Sequence, residues 1–74
     1  MEIQYGATVI DANGEVLGTV DHLMRNTLTG EIKKFVVRRK APEQDLFISS
    51  QSVRHCTGSA VELNVSLEEL MSGS

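Results

Sequence analysis

Asp11–Gly30 reads DANGEVLGTVDHLMRNTLTG, and the neighbouring segments of the chain are expected to pair with it. Its opening Asp-Ala-Asn-Gly favours a tight turn, because an Asp carboxylate accepts from backbone N–H groups two residues on and glycine tolerates positive φ. The apolar-patterned run Val16–Met24 follows, and a second turn at Thr27–Gly30 ends it. A run of this kind between two turns is typical of the central strand of a small sheet.

The central run is irregular. Gly18 interrupts it, and glycine inside a strand marks a bulge, a tight bend or a close backbone contact. Beyond Gly18, strict alternation predicts that the even-numbered residues of 20–24 share one face and the odd-numbered residues the other. Leu17 and Leu23 do not fall on the face of Val20, so we expect a bulge here or burial on both faces.

Runs of β-forming residues separated by turns predict further short strands on both sides of the central run. They are Ala7–Ile10, Glu31–Arg39, Leu46–Ser49, Val53–Thr57 and Ala60–Val65, after a lead-in that includes a short edge strand within residues 1–6. In Glu31–Arg39, Ile32 joins the face of Phe35 and Val37 only if a residue bulges out at Lys33–Lys34. Five or six strands at this spacing favour a small antiparallel barrel or sandwich.

Loops and one helix complete the expected layout. Lys40–Asp45 contains the only proline and is predicted to be a loop. Ser50 is predicted to cap a single helical turn before the fifth strand. Ser66 and Glu69 form a capping box, with Ser at the cap and Glu three residues on, which predicts a short terminal helix. The last three residues are predicted to be a flexible tail.

Length and cysteine content limit how the fold is stabilised. The chain has 74 residues, enough for one domain that buries only about 60% of its unfolded surface. Small scaffolds usually need disulfides, a metal or an oligomer partner. Cys56 is the single cysteine, so an internal disulfide is excluded. Either a closed sheet with well-matched side chains or self-association remains, and we expect a homodimer.

Charge and hydropathy exclude some classes of protein. The net charge is −3, which argues against bulk electrostatic binding to nucleic acid or anionic membranes. The N-terminus lacks the basic and apolar regions of a signal peptide. No apolar run approaches the ~20 residues of a transmembrane helix. We therefore expect a cytoplasmic protein without a transmembrane segment.

Basic residues are concentrated in one predicted strand and the loop after it. Five of the seven in the chain lie there: Lys33, Lys34, Arg38, Arg39 and Lys40. The functional interpretation is contact with RNA phosphates or with an acidic protein surface, and the alternative is a solvated face that blocks edge pairing. The acidic total charge and the lack of an exposed aromatic ladder favour the solvated face.

Residue types that serve catalysis or metal binding occur without a matching pattern. The candidates for a Ser-His-Asp triad are Ser49, Ser50, Ser52, His55, His22 and Asp21, and they lack a nucleophile elbow. His55 and Cys56 are adjacent, so on a strand they face opposite ways and, with His22, are too few for a closed zinc site. Asp11 and Asn13 resemble the opening of a calcium loop whose later ligands are missing. We predict no enzyme activity and no cofactor, and a redox or metal site at His22, His55 or Cys56 is the weakest alternative.

Residues 6–21, GATVIDANGEVLGTVD, resemble the opening of a PRC-barrel domain: glycine, an apolar pair, a D-x-x-G-E turn, an apolar residue, glycine, any residue, valine and an acidic residue. Phe35–Val37, Leu46–Ser49 and Val61–Leu63 continue the similarity, which covers residues 6–66. Asp11, Gly14, Gly18 and Gly30 match the family pattern as turn or bend positions only.

The resemblance implies an all-β fold, a six-stranded antiparallel barrel of SH3-like size, here with a short C-terminal helical turn. It divides the chain into a lead-in at 1–5, a PRC-barrel-like domain at 6–66, and a short helix and tail at 67–74. The family includes the cytoplasmic domain of the reaction-centre H subunit and the C-terminal domain of a ribosome maturation factor, and it implies no catalytic residues. The expected function is a non-catalytic protein-interaction or assembly module. The alternative is an RNA- or ribosome-associated factor that binds through the basic residues 33–40.

Overall fold

The computed structural model of the chain describes residues 3–40 and 43–72, and its regular structure is mainly β. The strands are β1 (Thr8–Ile10), β2 (Val16–Arg25), β3 (Ile32–Arg38), β4 (Leu46–Ser49), β5 (Val53–Cys56) and β6 (Ala60–Leu63). A 3-10 turn, Ser50–Ser52, joins β4 to β5, and a short helix α1, Leu67–Ser72, follows β6. Parts of the predicted lead-in, proline loop and tail, at 1–2, 41–42 and 73–74, lie outside the described residues.

The six strands form one sheet in the order β4-β3-β2-β1-β6-β5. Neighbouring strands are antiparallel except β1 and β6, which run parallel with Thr8 opposite Ala60. The sheet curls into a half-barrel whose two edges are β4 and β5. The predicted small six-stranded β architecture with a short terminal helix is confirmed, and it contains one parallel pair that the prediction did not include.

Strand β2 brings apolar residues into the core by means of two irregularities in its pairing. The register shifts opposite β1, between Val9 and Ile10, and again opposite β3, where Asp21 is the extra residue. Each shift moves the inward alternation by one residue. The buried side chains of β2 are consequently Leu17, Val20 and Leu23. The expected bulge is confirmed, and the strict alternation predicted over 20–24 is wrong because the second shift lies within it.

Strand β3 contains the bulge predicted from its sequence. Met24 pairs with Lys34 and Arg25 pairs with Ile32, so Lys33 lies between them as the extra residue. The inward side chains of β3 join the main core cluster, whose members are Ile3, Ala7, Val9, Leu17, Val20, Leu23, Phe35, Val37, Ile48, Val61 and Leu63.

The lead-in does not form the predicted edge strand within the described residues. Ile3 precedes a turn in which the Ala7 N–H donates to the Gln4 carbonyl, and the Gly6 N–H donates to the Val20 carbonyl. The Ile3 side chain is buried and belongs to the core. An apolar anchor followed by a turn therefore replaces the strand, and the burial of the Ile3 side chain stabilises this arrangement.

Candidate functional site

Asp11 joins the first turn to the last helix and is the only buried charged residue in the described part of the chain. Its Oδ1 accepts from the N–H groups of Asn13 and Glu15 at 2.9 and 2.8 Å, and its Oδ2 accepts from the Leu67 N–H at 3.0 Å. Burial raises the pKa of this carboxyl, but the N–H groups of Glu15, Leu67 and Asn13 outweigh it and hold the pKa below its ordinary value of 3.8. Both carboxylate oxygens of Asp11 accept from backbone N–H groups. This hydrogen-bonded turn accounts for the Asp11 and Asn13 pattern that resembles the opening of a calcium loop.

The glycines that matched the turn pattern shape the backbone. Gly14 and Gly30 have φ of +83° and +76°, in the left-handed region that favours glycine. Gly18 lies within β2, where the Arg38 carbonyl oxygen occupies the space that a Cβ atom would need. None of these positions offers a side chain to a ligand.

The structure places the capping serine at the end of β4 and the two histidines on strands that do not pair with each other. The Ser49 hydroxyl accepts from the Gln51 N–H at 3.2 Å and caps the 3-10 turn. The prediction that Ser50 is the cap is therefore wrong by one residue. His22 lies on β2 and His55 on β5, with β1 and β6 between them in the sheet.

Two further findings concern metals and membranes. Within residues 3–40 and 43–72, no group of three or more His, Cys, Asp or Glu side chains is arranged to hold a metal ion. None of the helical segments in the same ranges has the length and apolar character needed to cross a bilayer.

The basic residues predicted as a contact surface lie at the two ends of β3. Arg38 Nε lies 3.5 Å from Asp21 Oδ1, and Arg39 Nη2 lies 3.3 Å from Glu43 Oε2. The lysines of the cluster have no ion pair among the described residues. They are Lys33, Lys34 and Lys40. The positive charge left for an anionic partner is therefore smaller than the sequence suggests.

The outer face of β2, β3 and β4 carries an exposed aromatic side chain. Phe47 on β4 is 69% exposed and lies directly opposite Val36 on β3. Val36 is buried although it lies outside the main core cluster. Lys34 and Arg38 are two residues to either side of Val36 and thus share its face of the sheet. We call Val36 and Phe47, with these two cations beside them, the outer patch.

The exposure of Phe47 was missed in the sequence interpretation, although a signal for it exists. Alternation within Leu46–Ser49 places Phe47 and Ile48 on opposite faces, and Ile48 is fully buried. The sequence did not indicate that β4 lies at an edge of the sheet. At an edge, the outward side chain has a neighbouring strand on one side only, so Phe47 stays exposed.

Strand β4 is an edge that carries no charged residue or proline, the usual protections against pairing with another chain. At the other edge, β5 carries Arg54, which donates to Glu62 on β6 at 2.8 Å. A groove of about 610 Å³ opens between β4 and α1, and its walls include Phe47, Val65 and Leu70. The β4 edge, the outer patch and this groove meet at Phe47, which makes this region the candidate functional site.

The family described as "Uncharacterized protein conserved in bacteria (DUF2171)" matches residues 3–71, and the chain belongs to it. No curated protein matches the chain. The assignment to the PRC-barrel family is therefore wrong. Its motifs were turn glycines and core positions, which serve the backbone and the interior of this sheet, so they identified the fold class and not the family.

Proposed function

We propose, starting from membership of this bacterial family, that the chain is a non-catalytic protein-interaction or assembly module that binds its partner at the β4 edge. The observation that carries the proposal is the meeting of an unprotected edge strand and an exposed Phe47 beside a groove. An exposed aromatic side chain between an open strand edge and a groove with apolar walls suits a partner that adds a strand, because main-chain hydrogen bonds and apolar burial are both available there.

The remaining parts of the proposal rest on separate observations. The serines near β4 support a non-catalytic role, since Ser49 is engaged in capping the 3-10 turn. A cytoplasmic setting is part of the proposal, and the single Cys56 supports it because the fold forms no internal disulfide that would need an oxidising compartment.

Site-specific photo-crosslinking tests the proposal in cells. A photoreactive phenylalanine analogue replaces Phe47 in one variant and Leu28 in the control, because Leu28 is 93% exposed and lies in the turn between β2 and β3. We expect a discrete crosslinked protein band from position 47 and none from position 28. Equal crosslinking at both positions, or no band from position 47, would contradict an interaction site at β4.

The second candidate is an RNA- or ribosome-associated factor that uses the basic residues 33–40. The observation in its favour is that the exposed ring of Phe47 lies on the same face as Lys34, so a base can stack beside a cation. The ion pairs of Arg38 with Asp21 and of Arg39 with Glu43 weaken this candidate, because they reduce the positive charge available to phosphates.

Salt-dependent binding of single-stranded RNA tests the second candidate. We expect affinity to fall with rising salt if phosphates are bound, and to fall further when Lys33 and Lys34 are changed to Ala. The triple change of Arg38, Arg39 and Lys40 to Ala should also weaken binding. Unchanged binding in both variants would end this candidate.

A further inference from the structure

We propose that the partner at the candidate site is a second copy of this chain, and that the two β4 strands pair antiparallel about a two-fold axis at Phe47. The inference rests on the proposed function, because it names the occupant of the same edge. It goes further in stating the register of the interface and the ion pairs that fix it.

Pairing with a second copy requires a strand edge that no other strand of the sheet occupies, and β4 provides one. Its ladder partner is β3, and within the described residues the other side of β4 has no neighbouring strand. The groove between β4 and α1 leaves space along that side. An added strand lies about 4.8 Å from the strand it joins, so its backbone would run along the groove.

The faces of the sheet restrict the register. Residues directly opposite each other in an antiparallel pair lie on the same face. Phe47 lies on the outer face, whereas Leu46 and Ile48 alternate with it and point inward. Symmetric pairs that respect both faces are centred on a residue and not between two residues. Of these, the pair centred on Phe47 brings the two phenyl rings together, with Leu46 against the partner's Ile48. The apolar row formed by Val36 and Phe47 would then continue across the axis, and the two rings would form a cross-strand aromatic pair.

Charges at the two ends of β4 are opposite in sign, which suits an antiparallel pair. Asp45 immediately precedes β4, is exposed, and accepts from the Arg39 N–H beyond the end of β3. Ser49 at the other end lies opposite Lys34 of β3. In the proposed register the partner's Asp45 falls opposite Ser49. Lys34 and the partner's Asp45 are thus separated by two strand spacings, about 10 Å between backbones.

The side chains can span that separation because Ser49 is small and the lysine side chain is long. Lys34 has no ion pair within its own described chain, whereas Asp45 accepts from the Arg39 N–H at a long 3.4 Å. The two-fold axis repeats the contact, so the interface gains two ion pairs. An alternative pairing of β4 with β5 of another copy is not closed and would extend into a filament. The Arg54–Glu62 pair beside that edge does not offer the same charge match.

A charge exchange tests the register by mass in solution. Sedimentation equilibrium on the intact chain should give twice the 8.1 kDa of one copy. Asp45→Lys and Lys34→Glu should each weaken the dimer at least tenfold, by like-charge contacts at both ends. The double variant should regain the dimer, whereas the matched control Lys40→Glu, in the loop that follows β3, should leave it unchanged. A mass of one copy at every concentration, or a double variant no better than the singles, overturns the proposal.

A disulfide crosslink provides a second test that does not depend on the ion pairs. Opposite Cα atoms in an antiparallel pair are about 4.5–5.5 Å apart, within the range that a disulfide spans. In a Cys56→Ser background, Phe47→Cys should therefore form a covalent dimer on mild oxidation, and Leu28→Cys should not. Equal crosslinking of both, or none at position 47, overturns the two-fold axis. If position 47 crosslinks only to a different protein in cells, the homodimer fails while the proposed function stands.

Discussion

Replacing Gly18 with Ala should destabilise the fold more than any other single added methyl group at a glycine. The new Cβ atom would overlap the Arg38 carbonyl oxygen and lie 3.1 Å from Val37 Cγ1. Because the main obstacle is backbone held in the β2–β3 ladder, the two strands must separate to admit it. Overpacking of this kind costs up to about 3 kcal/mol. At about 4–8 °C per kcal/mol for a domain of this size, this upper limit corresponds to a fall in melting temperature of about 12–24 °C.

Thermal denaturation followed by circular dichroism, with urea midpoints at 25 °C, measures the effect against two matched variants. Gly58→Ala adds a methyl group in open space and should change stability by less than about 1 kcal/mol. Gly14→Ala also meets no atom, but its φ of +83° should cost about 1–2 kcal/mol. The expected order of destabilisation is therefore Gly18, Gly14, Gly58. A Gly18→Ala protein as stable as Gly58→Ala would refute the close approach of β2 to β3.

Three further predictions concern single side chains. Asp11→Asn should reduce the loss of folding stability in acid, because the pKa of Asp11 is lowered in the folded state. The stabilisation from the Asp11 carboxylate is present above pH 3.8 and is lost as the pH falls through the folded-state pKa. The urea midpoints of wild type and variant should therefore converge in acid, and a constant difference between them at all pH values would contradict this. Ile3→Ala should cost about 2–5 kcal/mol in urea unfolding, as expected of a core residue, and a loss below about 1 kcal/mol would place Ile3 outside the core. Arg38→Ala should cost less than about 1 kcal/mol in the same assay, because the side chains of the Arg38–Asp21 pair are 67% and 40% exposed, and a larger loss would indicate a further contact of Arg38.

The bulge at Lys33 was predictable from the sequence because Ile32 fits the face of Phe35 only with one residue extra. The shift at Asp21 was only partly predictable. The spacing of Val20 and Leu23 indicated a bulge in β2, but several positions of that bulge are compatible with the same sequence. The structure selects one of them because the register between β2 and β3 is set along the whole ladder, which no local window contains.

The candidate site was less accessible to sequence reasoning than the core. The strand character of Leu46–Ser49 is local, but its place at an edge depends on the pairing of β1 with β6, more than fifty residues apart in the chain. The same distance separates Asp11 from Leu67, whose N–H it accepts. Turn chemistry explains the hydrogen bonds that Asp11 accepts from Asn13 and Glu15. No residue near Asp11 in the sequence indicates the hydrogen bond from Leu67. The basic residues were visible as a run, but their neutralising partners, Asp21 and Glu43, become apparent only in the folded arrangement.

The parallel pairing of β1 with β6 has a consequence for the order of events during translation. β6 follows the other five strands of this sheet in the chain, yet it occupies an interior place between β1 and β5. A nascent chain must therefore keep β1 with one flank open until residue 63 has emerged. Contacts between such distant segments form slowly, so the sheet matures after most of the polypeptide has been made. Premature termination before β6 leaves one edge of β1 open and β5 without its pairing partner.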